Sequence, residues 1–242
     1  GEQDLLQEFT SQLKPTVLGQ LVEVIFEKMQ LAGEAGTLLK IEKEIEDALT
    51  KARVQWLRHN DKLEQYPELG ILAKQPGEIR FDIQDVKSES FWKHAENKII
   101  ESIIFYLRSI ASDTTEKKRL FASDTAKGFA FIEICKKRYD VVLMNPPFGE
   151  FSKRWKLDGK KDYPTCSGDI LAAFIQRANQ LLNHRGKVGA ITSRTCFFIK
   201  TFEEWRESIL LRSFSIELFA DLGFGVMDDA MVEAAAYTLE KR

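Results

Sequence analysis

Cysteine and histidine are both scarce in this 242-residue chain, three of each: Cys135, Cys166 and Cys196, and His59, His94 and His184. An odd, widely spaced cysteine set excludes a disulfide scaffold. With so few histidines, no zinc cluster of the usual spacing can be assembled, so no metal is expected. A reducing, cytoplasmic compartment is the default that follows. Long apolar runs are missing as well, all falling far short of the roughly 18 residues a membrane span needs, and no membrane partner is expected. Nor does one sign of charge dominate. Thirty-five Lys and Arg against 37 Asp and Glu leave a net charge of -2, which excludes a chain-wide electrostatic grip on nucleic acid and leaves only local basic patches. The chain opens Gly-Glu-Gln-Asp, without Met and without the basic-then-apolar layout of a signal peptide. It stops at Lys241-Arg242, directly after an apolar run. The expectation is a piece of a longer protein.

What is present is an ordinary globular mixture, 44% apolar and 30% charged, arranged in two regions. Residues 1–119 read as mainly helical. An apolar stripe runs through Leu18, Leu21, Val22, Ile25, Met29 and Leu31. After a break at Gly33–Gly36, a second helix from Thr37 through Trp56 places Leu39, Ile41, Ile45, Leu49 and Ala52 at helical spacing. Residues 66–90 are rich in turn formers, with a short strand expected at Glu78–Ile83. Phe91–Ile110 reads as a helix burying Ile99, Ile103, Ile104 and Leu107.

Residues 120–242 change to alternating helix and strand. The expected order is a helix at Ala126–Lys137, a buried parallel strand at Tyr139–Met144 and a helix from an Asp169 cap to about Leu182. A strand at Lys187–Thr192, a helix at Phe202–Arg212 and strands at Ser215–Leu222 and Val232–Leu239 follow. This order predicts an α/β fold: part of a doubly wound, mostly parallel, Rossmann-like sheet preceded by the helical region. The last two strands are joined by only about ten residues, too few for a parallel crossover, so the final strand is expected to be antiparallel.

One motif is sharp. Tyr139-Asp140-Val141-Val142-Leu143-Met144 runs directly into Asn145-Pro146-Pro147-Phe148-Gly149. In open α/β sheets ligands bind beyond the carboxyl ends of the strands, where these residues fall. Two prolines fix the backbone and lack N–H groups, leaving their carbonyls as acceptors. The amide oxygen of Asn145 and the carbonyl of Pro146 can each accept one hydrogen of an exocyclic amino group. Held so, the nitrogen lone pair is drawn out of conjugation and aimed at an electrophilic methyl group, while Phe148 stacks on the ring for about 1–3 kcal/mol. No strong base is required, because the proton leaves after the methyl bond forms. Placement and fixed dipoles supply the catalysis.

Asn145-Pro146-Pro147-Phe148 resembles the catalytic motif of amino-group methyltransferases that use S-adenosylmethionine, above all the DNA adenine methyltransferases. Ser193-Arg194-Thr195-Cys196-Phe197-Phe198, the stretch Phe219–Val226 and Asp229-Ala230-Met231-Val232-Glu233 are similar to the large adenine-specific methyltransferases of BREX-type phage defence systems. Glu27–Gly36 is consistent with the same family. The resemblance implies a bacterial or archaeal enzyme that methylates a flipped-out adenine in double-stranded DNA, in phage defence or restriction-modification, with other defence-system proteins as possible partners. Catalysis would rest on Asn145, Pro146, Pro147 and Phe148. Asp124 would lie near the cofactor's adenine ring, or else cap the helix from Ala126. Similar motifs also occur in enzymes resembling methyltransferases of release-factor glutamine or of RNA guanine amino groups. A non-catalytic binding or assembly module is a third reading.

Such an enzyme also needs a glycine-rich turn after its first strand and an acid at the end of its second. Gly33 and Gly36 follow a helical segment and read as a break between helices. Asp221-Leu222-Gly223-Phe224-Gly225 follows a strand, but too few residues remain beyond it for a helix and an acid-tipped strand. The cofactor turn is expected upstream of Gly1, with weak or absent S-adenosylmethionine binding by this chain alone. Residues 136–161 hold eight Lys and Arg against three acids. The loop from Glu150 to Cys166, with Trp155 and Tyr163 among its cations, reads as a flap that sets Lys153, Arg154 and Lys156 on DNA phosphates. Arg194, just past a strand end, is expected to line the pocket. Recognition of a DNA sequence is expected beyond Arg242.

Overall fold

The computed structural model describes residues 2–29, 31, 35–70, 79–111, 131–226 and 232–242. The chain divides into two compact units, one of Gly1–Ala32 with Ile41–Ile134 and the other of Gly33–Lys40 with Cys135–Arg242. The boundary expected near residue 120 lies outside the described residues. Among those residues no helix is long and apolar enough to cross a membrane, and no three His, Cys, Asp or Glu side chains gather as a metal would require.

The first unit is helical. Its described long elements are α1 (Glu2–Gln12), α2 (Thr16–Met29), α3 (Ile41–His59) and α4 (Ser90–Ala111). Val17, Leu18, Leu21, Val22 and Ile25 of α2 are buried with Ile41, Ile45, Ala52 and Leu57 of α3 and with Phe91, Ala95, Ile99 and Ile103 of α4. The amphipathic stripes thus meet one another within this unit.

Two expectations fail here for identifiable reasons. Helix α3 begins at Ile41 and not at Thr37, because Gly36–Leu38 forms a separate 3-10 turn that belongs to the second unit. The expected strand at residues 78–83 does not form over its described part, residues 79–83. Glutamine side chains take up that backbone: Gln55 donates to the Ile79 carbonyl at 2.7 Å and accepts from the Phe81 N–H at 2.9 Å, and Gln20 accepts from the Asp82 N–H at 2.6 Å. With its polar groups satisfied by side chains, the segment has no need of a strand partner.

The second unit carries a four-stranded sheet. Its elements are β1 (Tyr139–Met144), α5 (Lys156–Asp162), α6 (Ile170–Leu181), β2 (Leu182–Ser193), β3 (Phe214–Gly223) and β4 (Ala234–Lys241). The spatial order is β1-β2-β4-β3. β1 runs parallel to β2, and β4 is antiparallel to both β2 and β3. The final strand is therefore reversed, as its short connection requires, and it is inserted between β2 and β3. This is a partial, open Rossmann-like sheet that follows a helical region in the chain.

Helix α6 packs on β1 and β2 and buries Leu171, Ala172, Ile175 and Ala178, and the Trp205 indole N–H donates to the Ala172 carbonyl at 3.1 Å. Asp169 caps α6 as expected, accepting from the Ala172 N–H at 3.0 Å. Strand β1 departs from the buried strand expected of its apolar run. Among the described residues β2 is its one neighbour, and Val141 and Leu143 are 57% and 78% exposed. The expected helix at Phe202–Arg212 is an uneven ribbon spanning residues 200–213, with a π-helical turn at Arg206–Leu210.

Candidate active site

The carboxyl ends of β1, β2 and β3 and the start of β4 lie along one side of the sheet. Met144 pairs with Ala190, and Ser193 and Gly223 both pair with Ala234. Asn145-Pro146-Pro147-Phe148 leaves β1 there as irregular backbone. Asn145 is exposed, Pro146 is buried, and Phe148 keeps 37% of its surface open. Among the described residues, no hydrogen bond occupies the Asn145 amide or the Pro146 carbonyl.

The backbone on both sides of the motif is held. Upstream, Asn183 donates to Asp140 at 2.8 Å across the start of β1 and β2. Downstream, the Ile170 N–H donates to the Gly149 carbonyl at 3.0 Å, and the Phe151 N–H donates to the Gly168 carbonyl at 2.9 Å. Glu150 and Asp169 form an antiparallel bridge between these two bonds. The four residues are thus strung between a strand end and a helix start, a frame that fixes where two acceptor oxygens and one ring sit. Burial pushes the Asp169 carboxyl above the usual carboxylate range, against the two α6 N–H groups that favour its charged form.

The bridge closes a loop over residues 151–168. Phe151, Trp155, Gly159 and Tyr163, spaced four apart, form its buried face. Phe151 and Trp155 meet edge to face with centroids 4.8 Å apart, and Tyr163 donates its hydroxyl to the Leu38 carbonyl at 2.8 Å. Lys40 donates to the Asp162 carbonyl at 2.8 Å. A Cβ at position 159 would come within 2.7 Å of the Phe151 ring, so only glycine lets α5 lie this close. Lys153, Arg154, Lys156, Leu157, Lys160 and Lys161 are exposed on the other side. Lys156 also pairs with Glu150 at 3.3 Å, a contact open to water that holds weakly.

Arg194 follows β2, and its guanidinium is engaged by two carboxylates, Asp221 near the end of β3 and Glu233 ahead of β4. The Arg194 N–H also donates to the Glu233 carbonyl at 2.9 Å, and the guanidinium lies 5.5 Å from the Phe198 ring centre. Bonds to Glu233 and then Asp221 hold it above the ordinary arginine value. The structure thus makes Arg194 a brace across the ends of three strands. Sequence reasoning missed these partners, since nothing local marks residues 27 and 39 positions away.

Gly223 and Gly225 take left-handed conformations, with φ of 69° and 81°, but a Cβ on either would meet open space. They serve the turn that follows β3. Gly223 is the last residue of β3 and Asn145 directly follows β1, and among the described residues these are the two outer strands of the sheet. Three strand spacings, roughly 14 Å, separate the two strands. Asp124 lies outside the described residues, and we assign none of the described ones to the methyl donor.

The family model described as Eco57I restriction-modification methylase matches residues 26–224. The chain belongs to that family. It is 29% identical over 113 residues to the adenine-specific methyltransferase BrxX of Escherichia coli O9:H4 (strain HS), a match covering 44% of this chain and 9% of that protein. It is 28% identical over 111 residues to the adenine-specific methyltransferase PglX of Lacticaseibacillus casei (strain Zhang), covering 43% and 9%. The matched stretch therefore spans under a tenth of either relative. A solved structure of a putative class I S-adenosylmethionine-dependent methyltransferase from Listeria monocytogenes aligns with a TM-score of 0.38 at 10% identity, over 93% of this chain and 88% of that one.

Proposed function

We propose that this chain is the methyl-acceptor portion of an adenine-specific DNA methyltransferase. It grips the exocyclic amino group of an adenine extruded from duplex DNA, in phage defence or restriction-modification. The observation that carries the reading is the ledge beyond β1, where an exposed Asn145 amide, an unclaimed Pro146 carbonyl and a half-open Phe148 ring stand together. Membership of a restriction-modification methylase family supports it, and the descriptions of BrxX and PglX favour adenine.

Asn145 and Pro146 each accept one amino hydrogen, and Pro147 stiffens the backbone between them and Phe148. With both hydrogens held, the nitrogen lone pair points away from the ring plane. Phe148 stacks on the base and helps offset the few kcal/mol of unstacking that extrusion costs. In this reading S-adenosylmethionine supplies an electrophilic methyl group. Lys153, Arg154 and Lys156, exposed on the loop that follows the motif, meet phosphates. Arg194 acts by holding the strand ends that border the ledge.

The test is methyl transfer from labelled S-adenosylmethionine by the intact protein carrying this chain. Duplex DNA, RNA and a release factor are offered separately. Label on the N6 position of adenine in DNA is the expected result. Label on RNA guanine or on a glutamine would move the same ledge to another substrate, and no label on any of them would leave a binding or assembly module.

A further inference from the structure

Leu157 stands on the outside of α5 and is 85% exposed. The loop has a clear inside, the four-residue stripe Phe151, Trp155, Gly159 and Tyr163, and Leu157 lies two residues from Trp155, on the opposite side of the helix turn. A lone apolar residue on a surface is ordinary. Within four residues of it stand Lys153, Arg154, Lys156, Lys160 and Lys161, all exposed, Lys156 also pairing with Glu150, with Asp158 half-buried beside it. The loop that carries it starts directly after the Asn-Pro-Pro-Phe ledge and is cinched at its base by the Glu150–Asp169 bridge. Its buried aromatic face and the tight contact at Gly159 give the outer side a firm backing.

We propose that Leu157 is a wedge that enters the base stack of duplex DNA where the target adenine has left it, with the surrounding cations seated on the flanking phosphates. This rests on the reading of the chain as part of a DNA adenine methyltransferase. Charge complementarity selects the partner: five cations about one apolar tip suit a polyanion with an apolar interior, and a nucleic acid duplex has both. Apolar side chains inserted between base steps are an established means of prying a duplex apart. The gap left by an extruded base is the least costly place for one to enter. Leu157 would thus act on the substrate's conformation, while the ledge acts on its nitrogen.

The experiment uses the intact protein and a duplex carrying an adenine that it methylates, located by sequencing DNA it has modified. A second duplex places the same adenine opposite an abasic site, so that the base is already unpaired. Leu157→Ala is expected to slow methylation of the paired duplex by about tenfold or more, since an inserted side chain helps hold the base out. It should restore near-normal rates on the abasic duplex and lose the fluorescence rise of 2-aminopurine at the target position. An unchanged thermal midpoint for the variant is expected from the exposure of the side chain. Normal turnover of the paired duplex by Leu157→Ala would overturn the wedge, as would an equal loss on both duplexes. If the unsubstituted protein methylates neither DNA, the underlying reading fails, and the wedge with it.

Discussion

At the residue scale, chemistry concentrates in side chains whose partners are absent or unusual. Asn145 is unengaged among the described residues and fully committed to one role in the proposed reaction. Asn145→Ala in the intact protein should abolish methyl transfer and leave the circular dichroism spectrum and thermal midpoint unchanged; turnover close to normal would remove the ledge from the mechanism. The thiols behave in the opposite way. All three cysteines are buried, and burial pushes the Cys166 thiol up to about 12 from an ordinary 9.0, and the Cys196 thiol higher still. A thiolate is the reactive form, so an alkylating reagent at pH 8 should label none of the three in the native chain and all three after unfolding in urea.

The Asn-Pro-Pro-Phe ledge was legible in the sequence because its parts are contiguous and follow an apolar strand, so the side of the sheet they reach could be read from chain direction alone. The engagement of Arg194 by Asp221 and Glu233 was not, since it depends on which strand ends become neighbours. Leu157 carries a local signal as well. The four-residue spacing of Phe151, Trp155, Gly159 and Tyr163 defines a buried face, and Leu157 falls off it.

At the scale of elements, the loop between β1 and α6 behaves as a small packed layer of its own. Its stability turns on Gly159, where any side chain must displace the Phe151 ring. Gly159→Val should therefore loosen α5, at a cost on the order of 1–3 kcal/mol typical of overpacking. The expected readout is a red shift of Trp155 fluorescence together with weaker duplex binding at low salt. A variant with unaltered emission and DNA affinity would show that the loop tolerates the bulk.

Strands β1 to β4 and the Asp169 cap were legible from apolar runs and local capping chemistry. The missing strand near residue 80 was not, because its backbone is satisfied by Gln20 and Gln55 from distant helices. The order β1-β2-β4-β3 also lay beyond reach, since antiparallel pairing was readable from loop length and neighbour choice was not.

For the molecule as a whole, the proposed role of this chain as the methyl-acceptor portion has a direct consequence for ligand binding. The 242-residue chain alone should bind S-adenosylmethionine weakly or not at all in titration calorimetry, while the intact protein binds it; tight binding by the chain alone would revive a site at the Gly223–Gly225 turn. Stability should also depend on pH on the alkaline side. Between pH 9 and about 12 the Cys166 thiol ionises in the unfolded chain and stays protonated in the native one. The unfolded state then binds fewer protons, so stability is complete below pH 9 and falls as pH rises through about 12. Burial moves Tyr237 in the same direction. Urea midpoints should decline from pH 8 to 10.5, and Cys166→Ala should flatten that decline.

The reversed strand between β2 and β3 has an implication for how the sheet comes into being. Among the described strands β4 comes last in the chain yet sits inside the sheet, so β3 has no described neighbour to pair with until β4 has been made. During folding β1 and β2 can join while β3 waits, its rows of N–H and C=O groups open until β4 is added. The last strand is a keystone: a chain ending at Glu233 should stall as a half-built sheet, seen as lost protection of the β3 amides from hydrogen exchange and as aggregation at micromolar concentration.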